Sequence, residues 1–240
     1  MDQTERTALL IGPQGVERLK GAHIALFGVG GVGGYVAEAL ARCGVGALDL
    51  IDDDQVNLTN INRQIIALHS TLGQNKVDVM ARRLRDINPD IQVTPRQMFY
   101  MPERAEEIDL AAFDYIADAI DTVTAKLDLI QRACRLGVPI ISAMGAGNRL
   151  DPSQLRVGDI FETEGCPLAR VMRRELRKRG IPHLRVVYST EPALPPHPDA
   201  PKPQDSGRRS TPGSIAFVPP AMGLLMASVI VRDLLEGGEN

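Results

Sequence analysis

The chain has 240 residues, a formal net charge of -3, and three scattered cysteines, Cys43, Cys134 and Cys166. That length supports one large α/β domain with a full core, or one domain plus an appendage, and the nearly balanced charge requires any nucleic-acid footprint to be local. With no Cys-x-x-Cys pair, a disulfide framework or structural zinc site is not expected, so the reading is a reducing cytoplasm and no zinc.

Residues 4–20 read as one or two short amphipathic helices, and residues 1–20 are too mixed in polarity for a secretory leader. An apolar run at 24–27 leads into Gly28-Val29-Gly30-Gly31-Val32-Gly33. A helical pattern follows (Val36, Ala37, Leu40, Ala41), then a second apolar run at 48–51 ending in Asp52-Asp53-Asp54. Strand, glycine turn, helix, strand and acid form the order of a βαβ nucleotide site. Glycines let the backbone turn tightly and approach a phosphate, and the following helix offers unpaired N–H groups and a positive dipole end. A carboxylate ending the second strand can accept both ribose hydroxyls.

Residues 56–70 are polar and rich in asparagine. Residues 73–87 read as a helix with a basic side (Lys76, Arg82, Arg83, Arg85) and an apolar one (Val77, Met80, Ala81, Leu84), stopped by Asn88-Pro89-Asp90. Strands are predicted at 91–93, 115–119 and 138–142, and helices at 103–110 and 122–136, the latter capped by Gly137. This alternation implies a largely parallel sheet covered on both faces. Further on, 155–161 and 184–188 read as strands, 167–179 as a basic helix, and 191–209, with six prolines, as an extended or mobile loop. Residues 215–231 carry no charge for 17 positions, but Pro219-Pro220 and Gly223 interrupt them. A buried strand running into a core helix fits better than a membrane span.

Four features carry chemistry. Asn60-x-x-Arg63-Gln64 follows the acid, where an arginine can clamp phosphate oxygens or simply lie in a polar loop. Lys76 stands in the first turn of a helix, opposing the dipole by about 0.3–1 kcal/mol, which an anionic partner would explain. Asp118-Ala119-Ile120-Asp121-Thr122 joins a buried strand to a helix. There Asp121 is either the N-cap or a carboxylate placed to hold Mg²⁺ beside phosphates. Arg6 stands alone in the N-terminal segment. One ribose acid, two or three cations and one carboxylate that is a candidate metal ligand suit a nucleoside triphosphate attacked at phosphorus. They suit NAD poorly, since the four histidines share no motif that would serve a hydride site.

These motifs, in this order over residues 5–145, resemble the ubiquitin-activating-enzyme-like superfamily, which includes the adenylyltransferases of molybdopterin and thiamine synthesis. The resemblance implies a single Rossmann-like adenylating domain over 1–240. Its halves are an ATP-binding 1–145 and a substrate-binding 146–240 that carries the loop 191–209, with a C-terminal mixed-sheet extension. It also implies that Asp52 holds the ribose, Arg63 and Lys76 the phosphates, and Asp121 Mg²⁺. Gly28, Gly30, Gly31, Gly33, Asp54, Asn60, Gln64 and Thr122 complete the implied ATP site. Arg6 is implied to reach a neighbouring subunit's ATP across a homodimer interface. A monovalent cation remains open. Such enzymes transfer AMP to a carboxylate, which demands positioning and charge neutralisation more than a protein nucleophile.

Sulfur-carrier adenylyltransferases usually carry paired Cys-x-x-Cys motifs, absent here. Asn62-Arg63-Gln64-Ile65, Met144-Gly145-Ala146-Gly147-Asn148, Cys166-Pro167-Leu168-Ala169 and Arg208-Arg209-Ser210-Thr211-Pro212-Gly213 instead resemble the branch of tRNA threonylcarbamoyladenosine dehydratases. That branch adenylates the modification's carboxylate and lets its carbamoyl group close the ring. An RNA partner draws separate support from Arg170, Arg173, Arg174, Arg177, Lys178 and Arg179, offset by Glu175 alone, with Arg185 and Arg208-Arg209 beyond. A solvated basic helix is the plain alternative. Cys166 precedes a helix start, where a dipole favours a reactive thiol, but a lone cysteine is more often a small buried residue. A sulfur-carrier adenylyltransferase and a non-catalytic sulfur-relay adaptor, each with a sulfur-transfer partner, are the competing readings.

Overall fold

Side chains alternate across each strand, so a strand covered on both faces sends successive residues into two different cores. In the computed structural model, which describes residues 3–200 and 212–237, the strands divide in that way. The sheet has seven strands: β1 (His23–Phe27), β2 (Ala47–Ile51), β3 (Gln92–Arg96), β4 (Tyr115–Asp118), β5 (Ile140–Ala143), β6 (Leu155–Asp159) and β7 (Arg185–Ser189). Their order is β3-β2-β1-β4-β5-β7-β6. Every pairing is parallel except β6 with β7. The expected α/β class, Rossmann-like with a mixed C-terminal extension, is the observed one. Pro95 sits in β3 at the sheet edge, where a missing N–H is tolerated.

One core lies under α1 (Glu5–Gly21), α2 (Gly33–Arg42), α3 (Lys76–Ile87) and α6 (Val218–Glu236) and takes Ile24, Leu26, Leu48, Leu50, Tyr115 and Ala117 from the sheet. The other lies under α4 (Val123–Leu136) and α5 (Pro167–Lys178) and takes Ala25, Phe27, Ile51, Ile116 and Val186. Asp118 has the parity of Ile116 and therefore points toward α4. α1 is two helices, as one reading allowed: Gly12 adopts φ 74° immediately before Pro13.

Residues 215–217 form no strand, contrary to expectation. Helix α6 starts at Val218, with Pro219 and Pro220 in its first turn, where the missing N–H groups leave no hydrogen bond unmade. By length and hydropathy α6 resembles a membrane span, yet half of its apolar window is buried within the fold, where it packs on α2. Other boundaries shift modestly. The segment predicted as a helix at 103–110 is a 3₁₀ turn, Pro102–Glu107, and the strand predicted to run to 161 ends at Asp159.

Candidate active site

The carboxyl ends of β1, β2 and β4 and the loop after β3 frame a cavity of about 320 Å³. One wall is the turn after β1. Gly28 has φ 91°, and a Cβ there would lie 2.7 Å from the Ala119 carbonyl oxygen, so both conformation and space require glycine. Gly30 and Gly31 line the cavity. Gly33 does not; a Cβ on it would lie 1.8 Å from the Gly28 carbonyl oxygen, so its role is to let α2 start against the turn.

Asp52 ends β2 with both oxygens engaged: Oδ2 accepts the Val29 N–H at 2.7 Å and Oδ1 accepts the Asp54 N–H at 2.9 Å. Burial pushes its carboxyl pKa above the usual range, opposed by the charge of Lys76 and by the two N–H groups. Asp52, Asp53 and Asp54 each bring a carboxylate oxygen within 4.8 Å of the others. Lys76 is the first residue of α3 and only 4% exposed, and its Nζ donates to Asp54 Oδ2 at 2.6 Å. The anionic partner that a lysine in a first helical turn calls for is, in this structure, Asp54.

Arg63 donates from Nη1 to the Thr59 carbonyl at 3.0 Å and to Asn62 Oδ1 at 2.8 Å, and has no carboxylate partner among the described residues. Burial alone lowers its pKa, as expected for a cation withdrawn from water without a counter-ion. Gln64 also lines the cavity, and its Oε1 is buried with no hydrogen-bond partner. Such an atom is a natural acceptor for a ligand. Asn60 lines the cavity while its Oδ1 accepts the Asn57 N–H.

Asp121 lines the cavity from the turn after β4. The N-cap of α4 is Thr122, one residue further on, so Asp121 is not the cap; Thr122 makes no capping hydrogen bond and does not line the cavity. Arg6 is exposed on α1 and is absent from the lining.

Sequence reasoning passed over Asp53 and an apolar wall of Phe27, Met98, Phe99 and Tyr100. The Phe27 and Tyr100 rings meet edge to face at 4.9 Å, and the Tyr100 hydroxyl donates to Asp128. Phe27 and Tyr100 are themselves buried, and of that wall it is Phe99, 47% exposed, that offers a nucleobase a ring to stack on. The signal for it was positional, since residues 98–100 follow a strand whose carboxyl end faces the same crevice. A larger cavity, about 660 Å³, opens at the opposite end of β4, β5 and β7; it is lined by Arg185 but by none of the residues predicted for the ATP site. Ligands of open α/β sheets bind at the carboxyl ends of the strands, so size does not decide between the two.

The basic helix is less available than its sequence suggests. Arg173 turns inward to the Thr163 carbonyl and hydroxyl, and the Arg177 guanidinium lies 5.1 Å over the Phe161 ring. Glu175 pairs with Arg179, Lys178 and Arg174, which together hold its carboxyl down to about 2. Arg170, Arg174, Arg177 and Lys178 remain exposed. Arg185 pairs with both oxygens of Asp233. Arg208 and Arg209 lie outside the described residues. Cys166 is 4% exposed within the second core, facing Gly145, and lines none of these cavities.

The ThiF family model matches residues 4–240. The tRNA threonylcarbamoyladenosine dehydratase of Bacillus subtilis (strain 168) is 42% identical over 243 residues, covering 98% of this chain and 96% of that protein. The crystal structure of the E. coli tRNA N6-threonylcarbamoyladenosine dehydratase TcdA with AMP superposes with a TM-score of 0.87 at 34% identity, covering 96% of this chain and 93% of that one. The same enzyme with ATP gives a TM-score of 0.86 at 34% identity, covering 98% and 94%.

Proposed function

The chain belongs to the ThiF family, and from that premise we propose that it is an ATP-dependent dehydratase that cyclises threonylcarbamoyladenosine in tRNA. The supporting observation is the convergence of Asp52, Arg63, Lys76 and Asp121, distant in sequence, on one cavity at the strands' carboxyl ends.

The modification's carboxylate oxygen attacks the α-phosphorus of ATP, the bond to pyrophosphate breaks, and an acyl adenylate forms. The carbamoyl group then attacks the acyl carbon, the bond to AMP breaks, and a ring results with net loss of water. In this reading Asp52 accepts the ribose hydroxyls, and the exposed Phe99 receives the base. Arg63 and Lys76 neutralise charge on the phosphates. Carboxylate oxygens are the hard donors that Mg²⁺ prefers, and Asp121, with Asp53 across the same cavity, would hold it. When bound, it counters charge on the leaving pyrophosphate. Residues 1–145 supply the ATP half and residues 146–240 the substrate half. The exposed Arg170, Arg174 and Lys178 of α5 fit a tRNA backbone, and a cytoplasmic setting fits that substrate.

Incubation with ATP, Mg²⁺ and tRNA bearing threonylcarbamoyladenosine, followed by nucleoside mass spectrometry, should show the loss of one water. Unchanged nucleoside under confirmed tRNA binding would overturn the reading. ATP–pyrophosphate exchange that depends on a small protein ending in Gly-Gly would favour a sulfur-carrier adenylyltransferase instead.

Arg6 has no place in its own subunit's cavity, and Leu9 and Leu10 beside it are 89% and 86% exposed. A homodimer in which Arg6 serves the partner's ATP accounts for both. Mixing inactive Arg6→Ala and Arg63→Ala subunits should therefore restore about a quarter of wild-type activity, since random pairing makes half the dimers mixed and leaves each with one intact site. No recovery, with mixed dimers verified by mass, would rule out an arginine acting in trans.

A further inference from the structure

Beneath the cavity lies a charge pair that the reaction as described does not use. Asp118 and Lys126 are both fully buried, and Lys126 Nζ donates to Asp118 Oδ2 at 2.8 Å. Ser142, opposite Asp118 in the β4–β5 register, donates its hydroxyl to the same oxygen at 2.5 Å. The other oxygen, Oδ1, accepts the Ile120 N–H at 3.1 Å. One carboxylate thereby ties together a strand end, a helix, a neighbouring strand and the turn that leads to Asp121.

A buried ion pair is a poor device for stability alone, because desolvating both charges offsets most of their attraction, and apolar residues of similar volume often serve as well. What it does provide is direction. The Asp118 carboxylate holds the amide of Ile120, one residue before Asp121. The Ala119 N–H is bound to the Phe27 carbonyl at 2.8 Å, and its own carbonyl packs against Gly28. Lys126 sits in the first turn of α4, its N–H bonded to the Thr122 carbonyl at 3.0 Å, so both sides of the turn are anchored. A turn fixed at 119, 120 and 122 leaves residue 121 little freedom to leave the cavity wall.

We infer that Lys126 and Ser142, acting through Asp118, are positioning residues that hold the 119–121 turn so that Asp121 faces the metal and phosphate end of the nucleotide. The inference rests on the adenylating reading of the site and assigns a task to three residues that touch no substrate.

The test compares ATP affinity in Mg²⁺ with affinity in EDTA, by calorimetry, for the wild type and for Ser142→Ala, Lys126→Met and Lys126→Arg. Wild-type affinity should be higher in Mg²⁺. Ser142→Ala should lose at least half of that ratio on a logarithmic scale while affinity in EDTA stays within about twofold. Lys126→Met should lose it entirely, and Lys126→Arg should restore much of it by keeping the charge. A wild-type ratio in every folded variant overturns the proposal. So does an equal fall in Mg²⁺ and EDTA, which is the mark of a merely structural role. Ser142→Ala removes one hydroxyl and keeps the comparison decisive where Lys126→Met does not fold. Because binding is read without tRNA, the outcome stands whether or not the wild type dehydrates its proposed substrate; absence of turnover with an intact Mg²⁺ ratio would count against the reaction and not against the network.

Discussion

An Asp121→Ala enzyme should lose turnover by a factor on the order of 10²–10³, the scale for removing one preorganised electrostatic group from a charged transition state. Its melting temperature should change little, for two reasons. Asp121 is exposed, and the N-cap position it was a candidate to fill belongs to Thr122. If Asp121 holds Mg²⁺ as proposed, the loss should fall on kcat, because the contribution of such a metal would grow as charge moves onto pyrophosphate. Rapid-quench measurement of AMP formation, beside thermal unfolding of the same preparation, makes the comparison. Activity within about fivefold of wild type would remove Asp121 from the metal site and shift attention to Asp53. Asp121→Asn separates charge from shape: it keeps the side chain's size, and should fall nearly as far.

Much of the site was legible because each part follows from a local rule that the fold does not overturn. Gly28, Asp52 and Asp121 sit at strand ends, and parallel strands joined by right-handed crossovers bring their carboxyl ends to one edge. Once the strands at 24–27, 48–51 and 115–119 were recognised, the convergence of those residues followed. The pairing of Lys76 with Asp54 did not, because it depends on how the polar segment after β2 folds back, through a bridge between Gln55 and Asn75. Phe99 and Tyr100 escaped notice for a similar reason, since their loop carries no motif and gains meaning only from the sheet beneath it. On α5, composition counted charges, whereas helical spacing decides their fate. Glu175 lies one, three and four residues from Arg174, Lys178 and Arg179 and captures all three. The strand predicted at the start of 215–231 failed because an apolar run has no period of its own, and a proline pair in a first helical turn looks like a break.

Lys76→Met should be the second severe lesion, through two effects that can be separated. Nζ is held 2.6 Å from an Asp54 whose side chain is 60% exposed, so the lysine is buried and its partner can swing into solvent. An arriving triphosphate therefore exchanges one anion for another on Lys76 without stranding a buried charge. Without the lysine, Arg63 alone of the two phosphate cations is left beside Asp53 and Asp54, so ATP should bind at least tenfold more weakly as well as react on the order of 10²-fold more slowly. Asp54→Asn should do the opposite to binding, freeing Lys76 and leaving ATP affinity equal to or above wild type. If Asp54→Asn weakens ATP as much as Lys76→Met does, the pair works as a unit and the exchange is wrong. The pH profile gives a further check. Burial raises the Asp52 pKa and the charge of Lys76 lowers it, so deleting that charge moves the Asp52 pKa higher still. If ribose binding needs the ionised carboxylate, the acid limb of kcat/KM in Lys76→Met must move to higher pH. An unmoved limb would show that Asp52 does not titrate in the step that limits kcat/KM.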